Sequence, residues 1–366
     1  MCGDETLTDA ELYRNRCDFG EEIRAHPLDD EYHQARSPQW DKITVPFLSA
    51  ANWGGQGLHP RGNFEGFVRA ASKHKWLEAH GLEHWTHFYT DYGVGLQKRF
   101  FGHFLKGEDT GWRNQPRVLL QIRRPGEKFE ERWESEWPIR RTRWTKLHLH
   151  GEGLGLGREP PVREQKVTYG ALGEGVTFLT PPLQAETEIT GPVAAKLFVS
   201  SQTTDADLFL VLRVFTPDLK EVTFQGALDP HTPVAQGWLR ASHRKLDPAL
   251  SLPYRPYHTH DEPQPLLPGE VVDFEIEIWP TCIVVPEGHR IALTVRGRDY
   301  EYPGGPGVGL GTLGASFSGV GPFKHDDPRD RPPAIFGKEV TLHCGPRHPA
   351  HLLLPIIPPP YQERSP

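Results

Sequence analysis

Closely spaced histidines are the residues of this 366-residue sequence whose chemistry is easiest to interpret. There are 19 histidines, and two pairs stand out: His84 with His87, and His258 with His260. A neutral imidazole accepts a proton near pH 7 and also binds metal ions. A protein metal site needs three or four converging ligands, and neither pair has an obvious third ligand nearby in the sequence. We therefore predict no metal site at either pair and expect solvated or hydrogen-bonded histidines there.

A nucleophile to partner such an imidazole is missing. The sequence contains no Gly-x-Ser-x-Gly, the sharp strand-to-helix turn that exposes a catalytic serine. The nearest approach is Gly314-Ala315-Ser316-Phe317-Ser318-Gly319, which has a different spacing and lies in a Gly-rich stretch. Ser316 and Ser318 are therefore weak candidates, and the sequence predicts that no nucleophile elbow forms within it.

Strands and helices alternate in the first part of the chain, after about forty polar residues. Residues Ile43–Ala51 are almost all apolar, as buried parallel strands are, and Trp76–Ala79 is a second, shorter strand. A helix is predicted between them around residues 64–71. A second helix is predicted over residues 92–106, where apolar side chains recur every three or four positions. This alternation predicts an α/β layer for residues 1–106.

Short strands without helices between them follow residue 106. The clearest is Val271–Trp279, in which apolar and acidic residues alternate, so that one face is buried and the other is wet. The other predicted strands are 118–122, 145–149, 194–199, 207–215, 290–295 and 339–342. Many short strands separated by Gly/Pro turns favour a jelly-roll β-sandwich over residues 107–355. We expect a flexible tail over residues 356–366, and the fold class is α/β plus all-β.

The amino-acid composition limits which classes of binding partner and which cellular compartment the sequence favours. The net charge is −7 with both signs interspersed, so no basic surface favours nucleic acid or an anionic membrane. The four cysteines lie far apart, which indicates reduced thiols rather than a disulfide framework. The acidic N-terminus lacks the apolar run of a secretory signal. We therefore predict a cytoplasmic protein. An apolar edge at Ile43–Leu48 would favour pairing with other chains, so a homo-oligomer is possible on this basis.

Several segments resemble one known family. Residues His26–Leu105, with Asn52-Trp53-Gly54-Gly55 and His80-Gly-Leu-Glu-His84-Trp85, resemble the end of the catalytic domain in the cocaine esterase / Xaa-Pro dipeptidyl-peptidase family of α/β-hydrolases. Segments at 189–194, 205–209, 237–244, 279–290 and 343–357 resemble the C-terminal jelly-roll domain of that family. The resemblance implies a serine hydrolase that works through an acyl-enzyme. The serine of the family lies upstream of the segments that match.

The resemblance also assigns site residues. It implies that His84 is the catalytic base, and it places Gly55 where the family has its acid. Glu65 or Asp91 would then have to replace the acid, because loss of that group costs orders of magnitude in rate. Glu83 is a poor candidate, since adjacent strand residues point to opposite faces. Trp53, Trp85 and Tyr89, with Phe88, flank the implied site and would either line a substrate pocket or pack between two domains.

Three functions remain open from the sequence. The first is hydrolysis of a small ester or an Xaa-Pro peptide, with the serine supplied from outside this chain and no cofactor, because acyl transfer needs none. The second is a non-catalytic jelly-roll protein that binds a ligand or a subunit. The third is a truncated gene product with no independent role.

Overall fold

The computed structural model describes residues 7–83, 85–226, 229–304 and 324–359. Three short helices come first: α1 (Asp9–Asn15), α2 (Phe19–Ala25) and α3 (Glu31–Gln34). Thr8 caps α1, because its hydroxyl accepts from the Glu11 backbone N–H while the Glu11 carboxylate accepts from the Thr8 N–H. The weak helical pattern of the polar N-terminal region therefore corresponds to short capped helices.

A four-stranded sheet occupies the next part of the chain. Its strands are β1 (Phe47–Asn52), β2 (Lys75–His80), β3 (Val118–Arg124) and β4 (Lys128–Glu134), hydrogen-bonded in that order. Strands β1, β2 and β3 are parallel, and β4 is antiparallel to β3. Helix α4 (Pro60–Arg69) connects β1 to β2, and helices α5 (Thr86–Tyr89) and α6 (Asp91–Lys106) connect β2 to β3. The predicted strands and helices of this region are confirmed as elements.

Alternation along β2 explains how this sheet is covered on both faces. Leu77 and Ala79 belong to a buried cluster with Phe64 and Phe67 of α4. Trp76 points the other way and packs against Phe100 of α6, with their ring centroids 6.3 Å apart. Since successive strand residues face opposite sides, one strand serves both layers. The apolar side chains of β2 therefore alternate between the two layers.

The first sheet continues beyond residue 106. Strands β3 and β4 follow that position and hydrogen-bond into the same sheet as β1 and β2. The division into units at residue 106 stays a prediction, and the hydrogen bonding joins residues as far as Glu134 to the first sheet.

The rest of the described chain is almost entirely β. The strands are β5 (Arg143–His150), β6 (Gly155–Gly157), β7 (Gln165–Gly170), β8 (Val176–Leu179), β9 (Thr187–Ser201), β10 (Asp207–Phe215), β11 (Ala235–Arg240), β12 (Val272–Val285), β13 (Arg290–Arg296), β14 (Glu339–Cys344) and β15 (His351–Ile357). A one-turn helix, α7 (Pro333–Phe336), precedes β14. The sheet order is β11-β10-β13-β8-β6-β5-β15-β9-β14-β7, and β12 pairs with β9. The predicted β-rich architecture is confirmed.

One hydrophobic core fills this second sheet. Ala235 and Leu239 of β11 and Tyr169 of β7 share it, although these strands lie at opposite ends of the strand order. The sheet must therefore fold over on itself. In β12, Phe274 and Ile276 are buried while Asp273 is exposed, as the alternation predicts.

The C-terminal end differs from its prediction. Strand β15 extends to Ile357, where it still pairs with Glu188 of β9, so residues 356 and 357 are not part of a flexible tail. Ile356 and Ile357 continue the pairing with β9 that begins in the apolar run before them. Residues 360–366 of the predicted tail lie outside the described residues.

Arg123 of β3 connects the two sheets. Its Nε donates to the Cys282 carbonyl oxygen at 2.8 Å, and its Nη2 donates to the Val234 carbonyl and the Thr281 hydroxyl at 3.0 and 2.8 Å. Its guanidinium also lies 4.4 Å from the ring centroid of Phe224. The sheets therefore share one interior, to which Cys282 also contributes apolar contact with residues of β1 and β2.

Two further expectations concern cysteines and membranes. Cys17, Cys282 and Cys344 are unpaired, as predicted, and Cys2 lies outside the described residues. In the part of the chain that the structure describes, no helix has the length and apolar character needed to cross a membrane.

Candidate functional site

A cavity of about 740 Å³ lies along the edge strand of the first sheet. It is bounded by β1, the start of α4, and helices α5 and α6. Among the described residues β1 pairs only with β2, so its other edge is open to this cavity. Polar side chains at its inner end come from the last residues of β1 and β2: Asn52, Glu78 and His80. In parallel sheets, ligands bind at the carboxyl ends of the strands.

Glu78 and His80 form a carboxylate–imidazole pair. They are two positions apart on β2, so both side chains project from the same face of the sheet. His80 Nδ1 lies 2.9 Å from Glu78 Oε2 and 3.1 Å from Oε1, and both residues are buried. A carboxylate only accepts, so the His80 proton lies on Nδ1. His80 Nε2 is then a proton acceptor, and it has no hydrogen-bond partner among the described residues.

Tyr92 supplies a second hydrogen bond to the same carboxylate. Its hydroxyl, on the first turn of α6, donates to Glu78 Oε1 at 2.9 Å. Burial, and next the negative charge of Glu78, raise the pKa of Tyr92 above its usual value, so the phenol keeps its proton. Two donors therefore hold Glu78 in one orientation, and Glu78 holds the imidazole.

His87 of α5 faces the same pair. Its ring centroid is 5.2 Å from that of His80, and neither of its nitrogens has a hydrogen-bond partner among the described residues. Burial lowers the pKa of His87, and proximity to His80 lowers it further, so His87 is neutral at pH 7. Unpaired buried polar atoms are unfavourable, and three imidazole nitrogens of this kind meet here. Such clustering is typical of a site that binds a further group.

Asn52 fixes the turn that follows His80. From the end of β1, its Nδ2 donates to the Leu82 carbonyl at 2.6 Å and to the Gly81 carbonyl at 3.3 Å. Leu82 has a φ of 59°, a left-handed conformation that costs energy for a residue with a branched side chain. Gly81 has no room for a side chain, because a Cβ there would collide with the ring of Phe129. Contacts with neighbouring residues therefore stabilise this turn, rather than the backbone preferences of the turn residues themselves.

Replacing Asn52 by Ala should therefore destabilise the protein. We expect a loss of about 1–3 kcal/mol in the free energy of unfolding, because buried carbonyls of the turn lose their donor. Urea unfolding followed by circular dichroism measures it. Asn63→Ala is the matched control, since Asn63 donates to the Ala50 carbonyl at a more exposed position. Equal stability of Asn52→Ala and the wild type would show that Asn52 does not hold the turn.

The catalytic candidates that the sequence suggested do not form one site among the described residues. His84 lies outside the described residues, as do Ser316 and Ser318. Glu65 is buried on α4, where it accepts from Arg255 at 2.9 Å. Helix α4 covers the face of the sheet opposite to His80, and Glu65 does not line the cavity. Asp91 is exposed at the start of α6.

The aromatic candidates are also dispersed. Trp53 is only 1% exposed, and its Nε1 donates to the Gln121 carbonyl at 2.9 Å, so it is part of the shared interior. Trp85 and Tyr89 are exposed beside α5 and do not line the cavity, whereas Phe88 does. The substrate-binding roles of Trp53, Trp85 and Tyr89, and the catalytic roles of His84, Glu65 and Asp91, stay predictions.

Glu78, His80 and Tyr92 were missed by sequence reasoning. A signal was present, because a carboxylate and an imidazole two positions apart on a strand necessarily share a face. Tyr92 could not be found this way, since its approach depends on how α6 packs on the sheet.

A second cavity, of about 510 Å³, lies between the N-terminal segment, α4, and strands β11 and β12. His243, His258 and His260 line it, and no group of three metal-binding side chains among the described residues is arranged to hold a metal ion. Burial lowers the pKa of both His258 and His260 to about 4, with the neighbouring histidines and Arg61 contributing.

These histidines predict a pH dependence of stability. A histidine whose pKa falls on folding is protonated more readily in the unfolded chain, so its contribution is complete above about pH 6.5 and is lost as pH falls towards 4. Of the other charged groups at the cavity, Glu277 is already bonded to Arg61 at 2.7 Å, and Asp29 is the carboxylate left to interact with a new positive charge.

Thermal unfolding between about pH 7 and pH 4 measures this effect. We expect the His258→Asn variant to lose less stability on acidification than the wild type. His289→Asn is the control, since His289 is a histidine outside this cavity. Parallel curves for His258→Asn and the wild type would contradict the assignment.

Comparisons with known proteins agree with this architecture. Residues 110–353 match the family described as X-Pro dipeptidyl-peptidase C-terminal non-catalytic domain. A putative serine esterase of Mycobacterium bovis is 28% identical over 243 residues, 56% of this chain and 36% of that protein. The cocaine esterase of a Rhodococcus species is 24% identical over 301 residues, 72% of this chain and 45% of that protein. The chain spans less than half the length of these curated relatives.

Solved structures show the same relationship. A CocE/NonD family hydrolase of Staphylococcus aureus superposes with a TM-score of 0.85 and 29% identity, covering 95% of this chain and 61% of that one. An α-amino acid ester hydrolase superposes with a TM-score of 0.61 and 15% identity, over 95% of this chain and 61% of that one. The second likeness shows the fold alone.

Proposed function

This chain belongs to the cocaine esterase / X-Pro dipeptidyl-peptidase family, and from that premise we propose that it forms the C-terminal part of a serine hydrolase. The complete enzyme would cleave small esters or Xaa-Pro peptides through an acyl-enzyme. The serine would come from a segment other than these 366 residues, which contain no Gly-x-Ser-x-Gly. In this proposal the first sheet is the end of an α/β-hydrolase layer and the second sheet is a jelly roll.

The pair of Glu78 with His80 is the observation that carries the proposal. In acyl transfer, an imidazole takes the proton of the serine hydroxyl and returns it to the leaving group. A carboxylate on Nδ1 keeps the other nitrogen free as acceptor and stabilises the imidazolium. His80 has this arrangement, with Nδ1 at 2.9 Å from Glu78 and Nε2 unpaired among the described residues. His84 is the base that the resemblance implies, and it follows His80 by four positions in the sequence.

The open edge of β1 supports the second part of the proposal. An unpaired strand edge offers a row of free N–H and C=O groups to a further strand. A segment that paired there would close the 740 Å³ cavity from the side and bring its own groups next to His80. The serine-bearing segment would take this position.

A chimera tests the proposal. This chain, joined to the part of the S. aureus hydrolase that it does not match, should hydrolyse p-nitrophenyl acetate about 10³-fold or more faster than the chain alone. The chain alone should be no faster than its own His84→Ala variant, and a fluorophosphonate probe should label only the chimera. Fast hydrolysis and labelling by the chain alone would reject the proposal and direct attention to Ser316 or Ser318.

A second candidate function follows from the description of the matched family as non-catalytic. Residues 110–353 would then serve to bind a ligand or a subunit, whether or not the enzyme is complete. We also propose a cytoplasmic location, supported by the three unpaired cysteines of the described residues.

A further inference from the structure

We propose that the 510 Å³ cavity beside β11 and β12 binds a neutral, hydroxylated ring compound of the pyranoside class. The cavity shares no lining residue with the one at His80, so it is a separate site. Its volume falls within the range of small-molecule pockets. The proposal does not depend on the chain being part of a hydrolase.

The charges of the lining are mixed and favour no ionic ligand strongly. Arg61 is the guanidinium of the cavity, and its Nε already donates to Glu277 Oε2 at 2.7 Å. A second carboxylate, Asp29, also lines the wall and would repel an anion. A cation would meet Arg61 at the same wall, so neither sign of charge is strongly favoured. A ligand with no net charge has neither penalty.

The histidines offer one donor and one acceptor side by side. His243 Nδ1 and His260 Nδ1 are 3.0 Å apart, so one of these nitrogens carries the hydrogen and the other accepts it. Because both rings are neutral, the Nε2 atoms must then have opposite roles, one accepting and one donating. His258 also lines the cavity, and its buried Nε2 has no hydrogen-bond partner among the described residues. A hydroxyl group is both donor and acceptor, and neighbouring hydroxyls match such a pair.

Aromatic rings provide the complementary apolar surface. Trp238 and Trp279 meet edge to face with their centroids 5.5 Å apart, and Tyr257 adds a third ring to the lining. Flat aromatic faces bury apolar area without hydrogen-bonding requirements of their own. A ligand with hydroxyls at its rim and C–H groups on its ring faces satisfies both the imidazoles and the tryptophans. A pyranoside is such a molecule.

The loop that carries the imidazoles is held in place by the N-terminal segment. His260 has a φ of 52°, an unfavourable conformation for a residue other than glycine. The Asp29 backbone N–H donates to the His260 carbonyl at 2.8 Å, so the N-terminal segment fixes the conformation of the loop and forms one wall of the cavity. The arrangement is therefore organised before any ligand arrives.

The experiment is calorimetric titration of the full chain with three sugars that share one ring: methyl glucoside, glucuronate and glucosamine. We expect methyl glucoside to bind with a Kd of about 1 mM. The charged sugars should bind at least about tenfold more weakly, because burying an unpaired charge is unfavourable. Trp279→Ala should weaken methyl glucoside binding about tenfold or more by removing a ring face.

Two variants make the result decisive. Trp144→Phe is the matched control, because Trp144 stacks on Tyr254 with centroids 4.2 Å apart and does not line the cavity, so its binding should equal the wild type. His243→Ala replaces Trp279→Ala if that variant does not fold, and it should weaken binding to a similar extent. The proposal is overturned if methyl glucoside does not bind, if either charged sugar binds as tightly, or if the folded cavity variant binds like Trp144→Phe.

Discussion

Replacing Glu78 by Gln in the chimera that bears a serine is expected to lower kcat by about 10³–10⁴-fold with little change in KM. The size of the effect follows from serine proteases, in which loss of the carboxylate that orients histidine costs about 10⁴-fold. The Glu78→Gln substitution would keep the shape of the side chain, but it would present an amide where a carboxylate accepts from His80 Nδ1 and Tyr92. The imidazole would lose both its fixed tautomer and the charge that stabilises its protonated form. Steady-state kinetics with p-nitrophenyl acetate measures the loss.

Three further variants separate the possible acids and bases. Tyr92→Phe removes one of the two hydrogen bonds to Glu78 and should lower kcat by about tenfold. Asp91→Asn and Glu65→Gln change the two carboxylates that the sequence suggested, and neither should change kcat in the folded chimera. If Glu78→Gln keeps full activity while His84→Ala abolishes it, proton transfer belongs to His84 and the pair on β2 is structural.

The contrast between Glu65 and Glu78 shows how far sequence could predict the site. Glu65 was a reasonable acid candidate, although Arg69, four positions further along α4, is a local partner whose Nη1 lies 3.7 Å from Glu65 Oε2. In the structure it pairs with Arg255, which is 190 positions away, and only tertiary folding brings that guanidinium to α4. The Glu78/His80 pair, in contrast, needs only the twofold period of a strand. The resemblance drew attention to the family position of His84 instead.

The strands were predicted where their pattern is local. In β12, alternation marked Val271–Trp279, and the structure has this strand. The strand continues to Val285, which the pattern did not show. The register with β9 shifts between Ile278 and Thr281, around Pro280, and beyond the shift the residues are buried without alternation. Proline has no N–H to donate to a neighbouring strand, so the sequence pattern predicts that the strand ends at Trp279-Pro280. In the structure the strand continues past this irregularity.

The contacts of Arg123 between the two sheets were not predicted, because they involve residues that only tertiary folding brings to β3. Arg123 shares its face of β3 with Leu119 and Gln121, and Leu120 and Ile122 lie on the other face. This local pattern does not show that Arg123 contacts a second sheet. It is buried, yet it donates to two carbonyls and a hydroxyl rather than to a carboxylate. Burial lowers the pKa of Arg123 to about 10, which still leaves it charged at pH 7.

Replacing Arg123 by Ala should therefore be the most destabilising single change at the joint between the two sheets, at about 4 kcal/mol in the free energy of unfolding. The substitution leaves the Cys282 carbonyl without this donor, while the Val234 carbonyl keeps the Thr281 hydroxyl at 2.7 Å, and it opens a cavity beside Phe224. Arg124→Ala is the matched control, because the neighbouring side chain is 36% exposed and pairs with Glu186, so its loss should cost less than about 1 kcal/mol. Urea unfolding of both variants measures the difference, and similar stabilities for the two would show that the sheets do not depend on Arg123. Because the first sheet carries Asn52, Glu78 and His80 while the acceptors of Arg123 lie in the second, a loose joint should also disturb the cavity at the strand ends.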